Sequence, residues 1–387
     1  MKYRTAALPL AAGLIGVLAW NGHAAALLLL PLITLLWSLC PGRRLAFTTL
    51  LCYYAGASRG MLHGAGIFYA DANAVPAVWI GPTMWLLSSA LLASVWSIGW
   101  GEQWKPVRLL AVLLAVSLPP IGVIGWANPI TAAGVVFPGL GWFGLGALLL
   151  LLCLLVSRPR PLLMAPFLLV AALANAGAER VDDHKHLQGV DTNLGGGSSL
   201  SAEFSRLTHL QAKAGQMIDR AQHGALILFP EMVGGDWTLN AMWWQDLAAR
   251  ARAKDLTVLI GVHWPAPRGD GYTSGLVAIG SNDGTVMKDR VPVPIAMWRP
   301  WSNDGAVAGW LETGVTLIGD KRVGHLICYE QILVWPVLAT FAKSPDVIVA
   351  PANVWWAKET SVPAIQRQAV EAWSRLFAVP AISAANT

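Results

Sequence analysis

The chain has 387 residues and a net charge of +5, with 55% hydrophobic and 13% charged residues. Soluble domains do not combine so many apolar residues with so few charges, so the composition excludes a single soluble core and predicts membrane-spanning segments. Residues 1–178 hold nine Lys and Arg against Asp71 and Glu102, a net charge of +7, while the remainder holds eighteen against twenty, a net charge of −2. Because the second half has no basic excess, we expect no nucleic-acid partner.

Residues 1–178 are predicted to form a helical membrane domain of about seven transmembrane helices. The apolar runs behind this prediction cover residues 6–20, 24–40, 46–62, 76–99, 107–125, 140–157 and 161–176. Several are shorter than the ~20 residues that a helix needs to cross the hydrocarbon layer. The third run carries Arg59, and a re-entrant segment remains an alternative there.

The charges between these runs predict the orientation of the chain. Basic residues precede the first, third, fifth and seventh runs, namely Lys2, Arg4, Arg43, Arg44, Lys105, Arg108, Arg158 and Arg160. The positive-inside rule then places the N-terminus in the cytoplasm, and an odd number of spans exports residues 179–387. We therefore expect a multi-pass protein of the bacterial inner membrane with its second domain on the periplasmic side. The first run lacks a small-residue cleavage site followed by a hydrophilic start, so we do not expect a cleaved signal.

The second half begins with residues 179–199, whose polar and Gly-rich composition predicts a linker. Strand and helix patterns then alternate: a helix at 201–222, a buried strand leading to Glu231, a helix at 239–253, a strand at 256–262, a hairpin of 272–280 and 285–288, strands at 323–328 and 346–351, a helix at 361–376 and an apolar run at 377–383. This alternation predicts a layered α/β domain.

Three apolar runs of this domain each end in a reactive side chain. Glu231 follows Ala225–Pro230, Lys288 follows a turn signal at Asp283–Gly284, and Cys328 follows an apolar strand pattern. Individually, a cysteine of this kind is more often a core residue, and such a Lys or Glu is more often a solvated loop residue. Together they supply the base, oxyanion partner and nucleophile of a cysteine acyl-transfer site.

The cysteine distribution supports Cys328 as the reactive thiol. Cys40, Cys52 and Cys153 fall in apolar spans, which leaves Cys328 without a disulfide partner in the second half. No Cys and His spacing indicates a metal site, and we expect no cofactor.

The same three motifs resemble the Glu–Lys–Cys triad of the nitrilase (carbon-nitrogen hydrolase) superfamily. They read FPE with Glu231, MKDRVPVP with Lys288 and ICYE with Cys328, at separations of 57 and 40 residues. The resemblance is closest to the membrane-bound branch, which includes apolipoprotein N-acyltransferase and TraB-type conjugative-transfer proteins. It implies an αββα sandwich over residues 179–387.

The resemblance also implies roles for residues around the triad. Tyr329 would offer its backbone N–H to the oxyanion, Glu330 matches an acidic residue two positions after the cysteine, and Trp355 and Trp356 would line a lipid-facing substrate pocket. The chain departs from the pattern in two places. Ala296 stands where a second acidic residue is expected eight positions after the lysine. The chain also ends at Thr387, before the last strands and terminal span expected of the family, which indicates a domain shortened at its C-terminus.

The implied reaction is a transfer through a thioester on Cys328. A membrane phospholipid would donate the acyl group, and the amine of a membrane-held protein, a lipoprotein or a pilin, would accept it. Two alternatives stay open: an amidase-type hydrolase, and a catalytically inactive assembly factor of a conjugation or secretion apparatus. If the site is active, we expect Lys288 to lower the pKa of the Cys328 thiol.

Overall fold

The structure is a computed structural model that describes residues 2–68, 77–157, 161–178, 186–196, 200–266 and 271–387. The chain forms two compact units. A helical unit contains Met1–Arg180, Ile332–Trp335 and Ala357–Ala378, and a sheet unit contains Val181–Gln331, Pro336–Trp356 and Val379–Thr387. Asp71, Arg158 and Arg160, which entered the charge argument above, lie outside the described residues.

The helical unit, in the ranges that the structure describes, begins with nine α-helices: α1 Lys2–Ala19, α2 Leu30–Leu39, α3 Arg43–Ala57, α4 Met61–Phe68, α5 Ala77–Gly99, α6 Lys105–Ser117, α7 Ala133–Val136, α8 Gly141–Val156 and α9 Pro161–Ala176. Each of the seven apolar runs contains helix, but two runs are not single helices. Helix α3 ends at Ala57, and the guanidinium of Arg59 in the next turn donates to the carbonyls of Gly56 and Trp20. Helix α6 ends at Ser117, just before a Pro–Pro pair that cannot continue it.

Within the described ranges, one helix, Val78–Gly99, is long and apolar enough by length and composition to cross a membrane. Four shorter apolar helices accompany it, at Ala6–Ala19, Ala24–Leu39, Gly141–Val156 and Leu162–Ala176. The seven-span membrane domain therefore stays a prediction.

Among the described residues, the sheet unit contains nine strands: β1 Leu187–Gly189, β2 Leu226–Leu228, β3 Thr257–Pro265, β4 Tyr272–Gly280, β5 Val286–Lys288, β6 Val315–Ile318, β7 Lys321–His325, β8 Val347–Asn353 and β9 Ala381–Asn386. Further α-helices are α10 Leu200–Arg220, α11 Trp237–Asn240, α12 Gln245–Ala253 and α13 Val334–Phe341. One sheet has the order β1-β2-β3-β4-β5 and the other β6-β7-β8-β9. The predicted hairpin is confirmed, because β4 and β5 pair antiparallel with Gly275 opposite Lys288.

Alternating side chains build a sandwich from the two sheets. On β2, Leu226 and Leu228 join a core shared with residues of the second sheet, among them Val347 and Val349 of β8. Ile227, which points to the opposite face, joins a second core beneath α10 and α12. The predicted layered α/β architecture is confirmed for a helix layer and two packed sheets.

The prediction of a linker at 179–199 is wrong in its middle. Leu187–Gly189 pairs parallel with β2, and Thr192 forms a bridge with Asn386 at the end of β9. Residues 179–185 and 197–199 lie outside the described residues. A strand of three residues is too short to produce a recognisable period, so only its partner strand reveals it.

The last helix, α14 Val362–Phe377, belongs to the helical unit although the sequence placed it in the second domain. Its Gln368 side chain donates to the carbonyls of Ala19 and His23 and accepts from the N–H of Gly22. These bonds provide partners for backbone groups at the end of α1. The division into units is therefore not a single cut near residue 178.

Candidate active site

Glu231 is placed by a tight passage of the chain between β2 and α11. Phe229 and Pro230 follow the strand, and Gly261 of β3 lies directly beneath the turn. A Cβ at Gly261 would come within 2.0 Å of the Pro230 carbonyl oxygen, so the close approach requires glycine there. Met232 then adopts φ of +57°, which turns the chain away and leaves the Glu231 side chain in the interior.

The Glu231 carboxylate is 3% exposed and is surrounded by hydrogen-bond donors. The Ser274 hydroxyl of β4 donates to its Oε1 at 3.4 Å, and the Asn353 backbone and Cys328 thiol bond to it as well. Burial raises the pKa of Glu231 to about 7, more than these hydrogen bonds lower it. A carboxylate with this pKa is suited to accept a proton near neutral pH.

Cys328 is the first residue of the 3₁₀ turn Cys328–Ile332 that follows β7. Its φ of +46° is rare for a residue with a side chain and is commonly found where a functional group must be presented sharply. The thiol hydrogen-bonds to Glu231, and the Asn353 backbone bonds to both groups. The structure thus brings together two of the three predicted catalytic residues.

A buried ion pair fixes the turn that carries Cys328. Glu330 Oε2 accepts the Ile327 N–H at 3.1 Å and a hydrogen bond from Arg290 Nη2 at 2.8 Å. Glu330 Oε1 accepts from the backbone N–H and Nε of Arg290, at 2.8 and 3.0 Å. Arg290 is 1% exposed and Glu330 fully buried, so Glu330 acts here as an anchor of the turn.

Lys288 ends β5, next to the strand that carries Ser274. Its carbonyl oxygen accepts a hydrogen bond from Nε2 of His325 at 2.9 Å, and its side chain is exposed. Burial, assisted by the positive charge of Arg290, lowers the pKa of His325 to about 4, so this imidazole is neutral and holds the strand end in place. No interaction in the described structure joins the Lys288 ammonium to Glu231 or Cys328.

The surroundings of Cys328 oppose the low thiol pKa that the sequence predicts. Loss of hydration and the negative charge of Glu231 raise the pKa of Cys328 well above its usual value. The resting site therefore holds a neutral thiol beside a carboxyl group, and the proton must move to Glu231 when the sulfur attacks.

Comparison with known proteins identifies relatives of this chain. The family described as carbon-nitrogen hydrolase matches residues 269–375. A probable conjugal transfer protein TraB from Sinorhizobium fredii is 35% identical over 98% of this chain and 97% of its own length. A conjugal transfer protein TraB from Agrobacterium fabrum is 34% identical over 100% of this chain and 94% of its own length. The chain belongs to the TraB family of conjugal transfer proteins, and part of its sheet unit matches the carbon-nitrogen hydrolase family.

Solved structures of the nitrilase superfamily are also similar to part of the chain. An amidase from Nesterenkonia sp. has a TM-score of 0.34 and 19% identity, and covers 54% of this chain and 80% of its own. A carbon-nitrogen hydrolase from Helicobacter pylori has a TM-score of 0.35 and 14% identity, and covers 51% of this chain and 73% of its own.

The remaining residues predicted for this nitrilase-like site lie near it. Tyr329 is half-buried in the 3₁₀ turn, directly after the nucleophile. Trp355 and Trp356 follow β8, close in sequence to Asn353, and both are half-buried. The Trp355 ring packs against the backbone of Gly196. The predicted contact of these two tryptophans with substrate stays a prediction.

Sequence reasoning missed three residues of the site, Ser274, Asp289 and Arg290, whereas the segment that begins at Asn353 was expected to border the site from the family resemblance. Asp289 and Arg290 follow Lys288 directly and, as charged residues after a strand, resembled solvated loop residues. Both are buried, at 5% and 1% exposure. The run VPVP that follows them was the available signal, since apolar residues on both sides favour burial. Among the described residues, no group of three or more His, Cys, Asp or Glu could hold a metal ion.

Proposed function

We propose that this protein is a membrane-bound acyltransferase that forms a thioester on Cys328. The observation that carries the proposal is the hydrogen-bonded pair of Glu231, with a pKa of about 7, and the Cys328 thiol. A general base is most effective when its pKa lies near the working pH. The superfamily generally uses a cysteine nucleophile, which agrees with this pair.

In the first half-reaction, the Glu231 carboxylate takes the thiol proton while sulfur attacks the carbonyl carbon of an ester. The Lys288 ammonium and the backbone N–H of Tyr329 stabilise the negative oxygen, and loss of one such donor costs about 3 kcal/mol in related chemistry. The Glu231 acid then gives its proton to the departing alcohol, which leaves a thioester on Cys328. The exposed Lys288 side chain must approach the carbonyl when substrate is bound.

In the second half-reaction, an amine attacks the thioester carbon and Glu231 takes its proton. The carbon–sulfur bond breaks, sulfur leaves as a thiolate and recovers a proton from Glu231. The products are an amide and the free enzyme, and the charges at the start and end of the cycle are the same. If the acyl donor is an amide, whose amine leaves with the proton of Glu231, and water then attacks the thioester, the same site is an amidase-type hydrolase, the activity named for the Nesterenkonia protein.

A lipid donor and a membrane-held acceptor fit the surface of the helical unit. Large apolar side chains on several of its helices are exposed, with Leu10 at 74%, Leu87 at 66%, Phe143 at 89% and Leu162 at 88%. Exposed apolar surface of this extent marks contact with a membrane or with another protein, and the apolar composition of these helices favours the membrane. We therefore place the helical unit in the inner membrane, with the sheet unit on the periplasmic side as the basic loops predict.

The relatives' names favour conjugal transfer as the biological setting. A pilin or lipoprotein subunit is then the acceptor, and a catalytically inactive assembly role is the alternative. The intact Glu231 and Cys328 pair favours the enzyme, since an inactive assembly factor does not require a buried base beside a thiol.

Substitutions at the base and the oxyanion partner test this proposal. Glu231→Gln and Lys288→Met should each lower the rate at which the phospholipid donor is consumed by roughly 10²–10⁴-fold. The activity of the double variant should be about as low as that of the less active single variant and not lower, because the effects of residues that act as a unit do not multiply.

Lys321→Met is the matched control, because Lys321 is an exposed lysine at the start of β7. Full activity in Glu231→Gln would overturn the acyltransferase proposal. Donor loss that continues at the same rate without an amine acceptor would instead identify a hydrolase.

A further inference from the structure

Asp289 is a buried carboxyl group that the mechanism above does not use. Its backbone N–H donates to the Ser274 carbonyl at 2.8 Å, and the Ser274 hydroxyl donates to Glu231. Its Oδ1 accepts the N–H of Val291 at 3.1 Å, which fixes the side chain within the loop after β5. Ser274 therefore links Asp289 to Glu231 by hydrogen bonds, and 5% of the surface of Asp289 is exposed.

Three buried carboxyl groups, Glu231, Asp289 and Glu330, share this interior with one buried guanidinium, Arg290. All three nitrogen atoms of that guanidinium are already engaged: its Nε and Nη2 bind Glu330, and Nη1 binds the Pro336 carbonyl and the Thr340 hydroxyl. The cation therefore hydrogen-bonds to no carboxylate other than Glu330, and its charge offsets that of Asp289 only in part. Two ionised carboxylates beside each other without a hydrogen-bonded counter-ion are strongly unfavourable in a buried site, so one of the remaining two keeps its proton.

We propose that Asp289 is the carboxyl group that keeps its proton at neutral pH, as a positioning residue which leaves Glu231 free to serve as the base. The inference rests on the proposed function. In this form Glu231 carries the one negative charge of the cluster that Arg290 does not offset, and it is the charge that exchanges during the reaction. Ionisation of Asp289 at alkaline pH places a second negative charge near the sulfur and opposes formation of the thiolate.

The electrostatics of the surrounding groups agree with this assignment. Burial, followed by the charges of Glu330 and Glu231, raises the pKa of Asp289 well above its usual range. The negative charge of Asp289 in turn raises the pKa of the Cys328 thiol. The other titratable groups facing this cluster are Tyr272 on β4 and His325 on β7, and both are neutral near pH 7 because burial raises the pKa of Tyr272 to about 12 and lowers that of His325 to about 4.

The pH dependence of Cys328 alkylation by iodoacetamide, measured by intact mass on the full-length protein, tests the proposal without any turnover. Asp289→Asn mimics the protonated acid and keeps the acceptor for Val291. Its alkylation rate should match the parent within about twofold up to pH 7. Above that pH it should exceed the parent by up to about tenfold, since one neighbouring charge shifts a pKa by one unit or more.

Asp346→Asn is the matched control, because Asp346 is exposed and paired with Arg322 on the surface. A rate increase in Asp289→Asn that is equally large at pH 6 would show that Asp289 is already ionised and would overturn the proposal. An unchanged profile at all pH values would overturn it as well.

A second measurement does not require Asp289→Asn to fold. In the parent protein at pH 8, where Glu231 with its pKa of about 7 is mostly ionised, infrared spectroscopy should show the C=O stretch of a buried protonated carboxyl group, which Asp289 provides. Absence of that band would contradict the proposal. Failure of the acyltransferase function itself would appear as a missing thioester and would leave both of these readouts unchanged, so the two failures are distinguishable.

Discussion

Replacing Glu231 by Gln should stabilise the folded protein at alkaline pH while it removes activity. The carboxyl group has a pKa of about 7 in the fold against 4.5 for an unperturbed glutamate. Because the folded-state pKa is raised, its contribution to stability is fully present below about pH 4.5 and is lost as the pH rises through about 7. At 1.36 kcal/mol per pKa unit, ionising the buried group costs the fold about 3 kcal/mol above pH 7. Glutamine avoids this cost and still accepts the Ser274 hydroxyl hydrogen bond.

The assay is thermal unfolding of the purified full-length protein, followed by tryptophan fluorescence from pH 5 to pH 9. For a unit of roughly 200 residues, 3 kcal/mol corresponds to an increase in Tm of roughly 5–10 °C. Glu231→Gln should show most of this increase at pH 8.5 and little at pH 5, whereas Glu312→Gln, at an exposed position, should show none at either pH. A Glu231→Gln protein that is destabilised equally at both pH values would refute the assignment of a raised pKa.

Three further predictions concern anchoring and topology. Glu330→Gln leaves a buried guanidinium unpaired and should lower the free energy of unfolding by roughly 3–5 kcal/mol. Asp346→Asn, which breaks an exposed ion pair, should lower it by at most about 1 kcal/mol, and equal losses in a denaturant titration would contradict this prediction. Gln368→Leu removes three hydrogen bonds at the end of α1 and should lower the free energy of unfolding by about 2–3 kcal/mol. Glu371→Gln, on the exposed side of α14, should leave it unchanged. An unchanged Tm in Gln368→Leu would rule out the anchoring role. A reporter that is active only outside the cytoplasm should be active when fused after Gly196, and activity of a cytoplasm-only reporter there would reverse the predicted orientation.

Long, strongly patterned elements of the sheet unit were predictable from the sequence. The helix predicted at 201–222 is α10, Leu200–Arg220, and the predicted hairpin is β4 and β5. These elements carry a local apolar period, which reports burial directly. The predicted strand at 323–328 is shorter, because β7 ends at His325 and Cys328 begins a 3₁₀ turn. The left-handed backbone at Cys328 leaves no mark on the hydrophobic pattern.

Features that depend on distant partners were not predictable. Arg290 and Glu330 are 40 residues apart, and each resembles a surface charge until its partner is known. The amphipathic pattern of α14 predicts a helix and a buried face, but not that its Gln368 meets the end of α1. Asp289 follows Lys288 directly, and the local sequence does not show that its carboxyl group is buried.

The central claim is that Cys328 carries an acyl group during the reaction. The most direct test is intact-mass analysis of the full-length protein after incubation with phospholipid vesicles in the absence of an amine acceptor. We predict an added fatty-acyl mass on the peptide that contains Cys328, and neutral hydroxylamine should remove it, as expected of a thioester. The adduct should be absent from Cys328→Ala and present in Cys153→Ala. The absence of any adduct on the parent protein, or an equal adduct on Cys328→Ala, would contradict the account.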